Sequence, residues 1–170
     1  RLGTGVIATA LKRGTARQEH VAAAIASMLQ LNGKASEIML RHPVHACTDI
    51  TGFGLVGHAR EMAAASHVTI DINIAQIEFL PGALEYSAQG ALAGGLKNNR
   101  EYFSCAVEYA GPVAPEVDNL LYDPQTSGGL FISAAAESAE RLAEELRAAG
   151  LPARIVGEVR TRGPKPLAVC

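Results

Sequence analysis

The chain has no tryptophan, and aromatic residues make up only 5% of its 170 positions. Its basic residues are scattered, with no aromatic set beside them. Neither sign of charge prevails: 15 Lys and Arg face 17 Asp and Glu, a net charge of -2 and a pI near 6.2. Nothing here makes an electrostatic case for a nucleic acid or an anionic membrane surface. No apolar run approaches the ~20 residues of a membrane span, and no signal-peptide core precedes a cleavage site. The expectation is a soluble, cytoplasmic protein. Cysteine is scarce too: Cys47, Cys105 and Cys170 are an odd count without CxxC spacing. That excludes a disulfide framework and a zinc ribbon and leaves reduced thiols. What is abundant is apolar content, 48% of the chain, enough for one core and one domain.

The stretch Ala46 to Glu61, ACTDITGFGLVGHARE, organises the rest. An apolar run from Val44 to Ile50 ends among Thr48, Asp49 and Thr51. Glycines follow at 52, 54 and 57, and Leu55, Ala59, Met62 and Ala63 then mark one helical face. A strand, a glycine turn and a helix in that order leave open backbone N–H groups and the positive end of a helix dipole above the turn, a site suited to an anion. Asp49 complicates this, because its carboxylate repels a phosphate unless a cation lies between them. The pattern therefore points to a metal-bridged phosphate. The alternative for Asp49 is a cap or turn carboxylate accepting backbone N–H bonds. One carboxylate is a poor Mg²⁺ site alone, so further ligands have to come from elsewhere.

Other signals place the remaining elements. The opening RLGTGV, with no initiating methionine, gives the expectation of a fragment, with a helix over about Ala8 to Arg13. Thr15 and Gln18 form a capping-box pair for a helix whose Val21, Ile25, Met28 and Leu29 share a face and which ends at Asn32-Gly33. A shorter helix, about Ala35 to Arg41, stops at Pro43. Residues His67 to Asn73 alternate as a strand does. Pro81 to Ala93 predicts a helix stopped by Gly94-Gly95, residues 97–100 a turn, and Tyr102 to Val107 a short strand. Pro115 to Leu121 predicts a short helix and Leu130 to Ser133 a strand. Ser133 then caps a helix over 135–149, and Ala153 to Val159 is a further strand. The fold class is α+β, an α/β sandwich with a mixed β-sheet covered by helices.

Three motifs compete for function. Gly52 to Gly57 fits GxGxxG, and Asp71 follows Gly52 by 19 residues, a dinucleotide fingerprint with its ribose-binding acid. Against it, Asp49 and the hydroxyls of Thr48 and Thr51 crowd the turn, and a helix precedes the supposed first strand. His42, His45, Cys47 and His58 suggest zinc, but alternate strand residues face opposite ways and give no tetrahedral set. His58 and Glu61 read as a helix-surface pair and Cys47 as a small core residue. The string DPQTSGGL, Asp123 to Leu130, is a turn by its Asp-Pro and Gly-Gly pairs. Its Gln125, Thr126 and Ser127 also make it a candidate second anion-facing loop.

The strings LGTGV (Leu2 to Val6), TDITGFGLVGHAREMA (Thr48 to Ala63) and DPQTSGGLFIS (Asp123 to Ser133) together resemble the C-terminal half of a selenophosphate synthetase, also called selenide, water dikinase. The wider superfamily includes aminoimidazole ribonucleotide synthetase, whose C-terminal domain gives the expected architecture. The resemblance implies formation of selenophosphate, AMP and phosphate from ATP, selenide and water with Mg²⁺. It also implies a homodimer whose nucleotide site lies between an N-terminal domain and this one. On that basis Asp49 is the metal ligand. The chemistry of the two glycine-rich loops adds Thr48, Thr51, Gly52, Gly54, Thr126 and Ser127 as residues expected to face the nucleotide phosphates. The reactive cysteine or selenocysteine belongs to the N-terminal half, so no catalytic residue is assigned here and the isolated chain is expected to be inactive. Two alternatives stand beside this: a nicotinamide-dependent oxidoreductase domain and a non-catalytic interaction domain of the same fold.

Overall fold

A computed structural model describes residues 1–170. Three helices come first: α1 (Thr4–Lys12), α2 (Gln18–Leu29) and α3 (Gly33–Met39). Helix α1 starts earlier than expected and buries Thr4, Val6, Ile7 and Ala10 along one side. The capping box predicted for α2 does not form. Arg17 is the N-cap residue, and the Thr15 hydroxyl instead donates to the Ala10 carbonyl at 3.2 Å, closing the end of α1. The predicted apolar face of α2 meets the core only in part: Val21 packs against it, but Ile25 is 47% exposed. His20 and Ala24 are the buried positions, whereas Leu29 is 73% exposed. On the buried side of α2, His20 Nδ1 lies 2.9 Å from the Tyr86 hydroxyl, which also accepts the Arg17 N–H at 2.8 Å. The Asn32-Gly33 pair begins α3 rather than ending α2.

Strand β1 (Val44–Asp49), helix α4 (Gly54–Ala65) and strand β2 (Val68–Ile72) form as their periodicity predicts. Next come α5 (Ala83–Ala88), α6 (Gly94–Phe103), β3 (Val107–Tyr109) and α7 (Pro115–Tyr122). The expected long helix over 81–93 is cut to α5, and the expected turn at 97–100 lies inside α6. Gly94-Gly95 opens a helix there because Leu96, Asn99 and Phe103 give it a buried face. The chain ends with β4 (Leu130–Ala134), α8 (Ala136–Ala148), β5 (Gly157–Thr161) and β6 (Leu167–Val169). Ser133 is within β4, so it does not cap α8, whose N-cap residue is Ala135. The strand expected over 153–159 begins only at Gly157.

The strands form two sheets instead of one. A four-stranded mixed sheet has the order β3-β6-β2-β5, with β2 and β3 parallel to β6 and β2 antiparallel to β5. Strand β1 pairs only with β4, antiparallel, and the register shifts between Val44 and Ala46. The cores divide likewise. A cluster of 24 buried residues, among them Val56, Ile72, Tyr86, Leu120 and Leu167, joins α1, α4–α7 and the larger sheet. A satellite of three, Ile38, Leu142 and Leu146, packs α3 and α8 over Val44, Ile132 and Ala134 of the two-stranded ribbon. The ribbon needs this cover, because two strands alone are marginal in water. No helix is long and apolar enough to cross a membrane.

Candidate functional site

The three distinctive strings meet at one place. The Ile50 N–H donates to the Gly129 carbonyl at 3.0 Å, and the Gln125 N–H to the Thr51 carbonyl at 3.0 Å. The two glycine strings are thus bonded to each other through their backbones, with Gly128 against the Ile50 carbonyl where no larger residue fits. The first string joins them through helix capping. Gln125 Oε1 accepts from the N–H groups of Gly3 (2.9 Å) and Thr4 (3.2 Å). Asp123 Oδ2 accepts from those of Gly5 (2.9 Å) and Val6 (3.3 Å). These are the amides a helix leaves without internal partners, so the N-terminus of α1 is closed by the protein's own side chains. Thr126 N–H also donates to the Thr4 hydroxyl at 3.0 Å.

Asp123 is fully buried, and its second oxygen, Oδ1, has no partner. Burial pushes this carboxyl up to about 6, against the opposing pull of hydrogen bonds from Gln125, Val6 and Gly5. Desolvation wins because an ionised carboxylate with one orphan oxygen is costly inside a protein.

The TGFG turn is held from beneath. Asn99, buried on α6, donates through Nδ2 to the Gly52 carbonyl at 2.9 Å and to the Tyr122 carbonyl at 3.0 Å. His58 Nε2 lies 3.4 Å from the Phe53 nitrogen and 3.2 Å from Thr51 Oγ1. A backbone N–H can only donate, so Nε2 is the acceptor and the ring proton sits on Nδ1, toward Glu61 at 3.7 Å. His58 therefore makes the expected i,i+3 pair with Glu61 through one ring nitrogen and supports the turn through the other. Gly54 takes φ +69°, and a side chain there would meet the Tyr122 carbonyl carbon at 2.8 Å. Its open flank is filled by the Tyr122–Asp123 backbone, so Gly54 lets the two loops join closely. The Leu55 and Val56 N–H groups in the first turn of α4 have no protein acceptor, in contrast to the closed start of α1.

Asp49 ends β1 opposite Leu130 with its side chain exposed, and no hydrogen bond or ion pair engages its carboxylate. The N-cap position of α4 belongs to Phe53, with no side-chain cap, so the capping alternative does not describe Asp49. Gly52 and, on the loop bonded to the same turn, Thr126 and Ser127 are exposed, and Thr48 and Thr51 are half-buried. No group of three or more metal-ligating side chains occurs. Asp49 can thus supply one ligand to a hard cation, and this chain supplies no full cage. Cys47 lies on the ribbon's uncovered side and is exposed, not a core residue as expected. Partial burial first, then the Asp49 charge, push its thiol up.

The competing motifs are used otherwise. A dinucleotide fold needs the strands before and after the glycine turn side by side in one sheet, yet β1 and β2 belong to different sheets. Asp71, its supposed ribose ligand, accepts both of its bonds from Arg160 Nε, at 2.7 and 2.9 Å. His42 meets Glu145 at 3.3 Å, and His58 is committed to the turn, so the four supposed zinc ligands are dispersed. Sequence reasoning missed Asn99 and the capping work of Asp123 and Gln125. The only signal for Asn99 was a polar residue in an apolar slot of the 96, 99, 103 pattern.

Residues 2–166 match the family described as AIR synthase related protein, C-terminal domain. The selenide, water dikinase of Pelobacter propionicus is 43% identical over 93% of this chain and 46% of its own length. That of Clostridioides difficile is 40% identical over 99% of this chain and 49% of its own. The chain thus spans about half the length of these curated relatives. In fold it is similar to thiamine monophosphate kinase of Aquifex aeolicus, with TM-score 0.58 and 19% identity over 99% of this chain and 47% of that one. It is equally similar to the hydrogenase maturation protein HypE of E. coli, with TM-score 0.58 and 18% identity over 99% of this chain and 43% of that one. Those likenesses speak to the fold alone. The mixed two-sheet architecture and these matches have one conclusion: the chain belongs to the AIR synthase related family as a C-terminal domain, and within it is similar to the C-terminal halves of selenide, water dikinases.

Proposed function

We propose that this chain is the C-terminal half of a selenide, water dikinase and contributes one wall of an ATP site completed by an N-terminal domain. In this reading the parent enzyme converts ATP, selenide and water to selenophosphate, AMP and phosphate, works as a cytoplasmic homodimer and uses Mg²⁺. The observation that carries the reading is the exposed, unbonded carboxylate of Asp49 at the strand end where both glycine loops are bonded together. Asp49 would hold Mg²⁺, and a bound magnesium ion neutralises phosphate charge and polarises the phosphoryl oxygens. Thr51 and Gly52 on one loop and Thr126 and Ser127 on the other would line the phosphate side. The open N–H groups at the start of α4 add the positive end of a helix. A single carboxylate cannot assemble the metals alone, so the 170-residue chain by itself is expected to form no AMP from ATP in the presence of selenide.

The test is Asp49→Ala and Asp49→Asn in the full-length protein, assayed for selenide-dependent AMP formation. Activity should fall about 100-fold or more, as expected for losing a ligand worth several kcal/mol in the transition state. The melting temperature should hold, because an exposed, unbonded side chain contributes little to stability. Parent-like activity in both variants would favour a non-catalytic domain instead. Selenide-dependent AMP formation by the isolated chain would show that the site is complete without a second half.

A further inference from the structure

One peptide unit of the glycine turn is gripped at both ends. The carbonyl of Gly52 and the N–H of Phe53 belong to the same planar group and rotate together. Asn99 Nδ2 holds the carbonyl at 2.9 Å, and His58 Nε2 holds the N–H at 3.4 Å. Without such a grip the unit has little to stop it turning over: Gly52 has no side chain, and nothing lies within 4 Å of where one would project. A reversed peptide would direct its oxygen away from Asn99, toward the open side of the turn, and place a negative dipole end beside an incoming phosphate. Asn99 is 7% exposed, and its second donor goes to the Tyr122 carbonyl at 3.0 Å, so the same amide also ties the turn to the loop that begins at Asp123. His58 likewise has a second bond, with Thr51 Oγ1 at 3.2 Å.

We propose that Asn99 and His58 are positioning residues that lock the Gly52–Phe53 peptide with its carbonyl turned inward, so that the turn beside Asp49 presents no oxygen to a nucleotide phosphate. This rests on the reading of Asp49 as part of an ATP site. Neither residue touches the nucleotide; each acts through the backbone of the turn.

Four variants of the full-length protein test it: His58→Ala, His58→Gln, Asn99→Ala and Asn99→Asp. Two readouts apply, the KM for Mg·ATP against kcat and the amide hydrogen exchange of residues 51–54 in ligand-free protein. His58→Ala and Asn99→Asp should raise the KM about tenfold or more, in line with the cost of a displaced binding group. Both should also speed exchange of the Phe53 amide about tenfold. In His58→Gln the side-chain oxygen can accept at the position of Nε2, so the KM and the exchange rate should return to within about twofold of the parent. A merely structural histidine would not be rescued in this way, and the His58 pair keeps the test decisive if either Asn99 variant fails to fold. A parent-like KM in His58→Ala together with unchanged Phe53 exchange overturns the proposal. If Asp49→Ala keeps full activity, the ATP-site reading is what fails, and Phe53 exchange still reports whether the two side chains hold the peptide.

Discussion

Asp123 faces two opposing demands. Its Oδ2 completes the N-terminal amides of α1, and its Oδ1 is buried with nothing to bind. The carboxyl titrates near 6 in the folded protein, above its ordinary value of 3.8. With the folded value raised, the native state holds the proton more tightly, so this residue's contribution to stability is full below about pH 4 and is lost as pH rises to about 6. The rise from 3.8 to about 6 corresponds to about 3 kcal/mol. Denaturant unfolding between pH 4 and 7 should show that loss in the parent and a flattened profile in Asp123→Asn. An amide keeps an oxygen for the Gly5 and Val6 N–H groups and has no charge to bury. Gln125→Ala, which strands the Gly3 and Thr4 amides, should cost about 1–3 kcal/mol at any pH in this range. Neither role was legible in the sequence, where Asp-Pro and its neighbours signal a turn. What they cap lies at the other end of the chain, and spacing cannot reveal such a partner. Asp49 was more legible, because a carboxylate at the end of an apolar strand is conspicuous whatever its partners are.

Glycine 54 decides how two elements meet. Its φ of +69° and the 2.8 Å approach to Tyr122 admit no side chain. Gly54→Ala should therefore destabilise by about 2 kcal/mol, from left-handed backbone strain. For a chain of this size that lowers Tm by about 4–8 °C, readable by calorimetry. Elements with strong periodicity, such as β2, α4 and α8, were visible in the sequence. Helix α6 was not, because Lys97-Asn98-Asn99-Arg100 has turn composition and a Gly-Gly pair precedes it. Only the burial of Leu96, Asn99 and Phe103 against α4 and α7 makes it a helix, and that is tertiary information. Helix α2 shows the converse. Its apolar stripe was plain, but only Val21 of it packs against the main core, while His20 is buried against Tyr86 and Ile25 and Leu29 are exposed.

At the scale of the molecule, unequal cores imply unequal stability. Leu120 belongs to the cluster of 24 buried residues and Leu142 to the cluster of three. Leu120→Ala should cost about 2–5 kcal/mol and speed exchange everywhere that global opening governs it. Leu142→Ala should mainly loosen α3, α8 and the β1–β4 ribbon, which hydrogen exchange with mass spectrometry would resolve. The mixed α/β class was legible from alternating elements, but the division into two sheets was not. It depends on β1 choosing β4, about 85 residues away, over its neighbour β2.

Separation along the chain has a further effect on α1. Its first amides are satisfied by residues 117 to 122 positions downstream. A polypeptide emerging from the ribosome at ~5–20 residues per second therefore makes this helix wait roughly 6–24 s for its cap. Until Asp123 and Gln125 are out of the exit tunnel, the opening turn of the first helix is a frayed end accessible to chaperones and proteases.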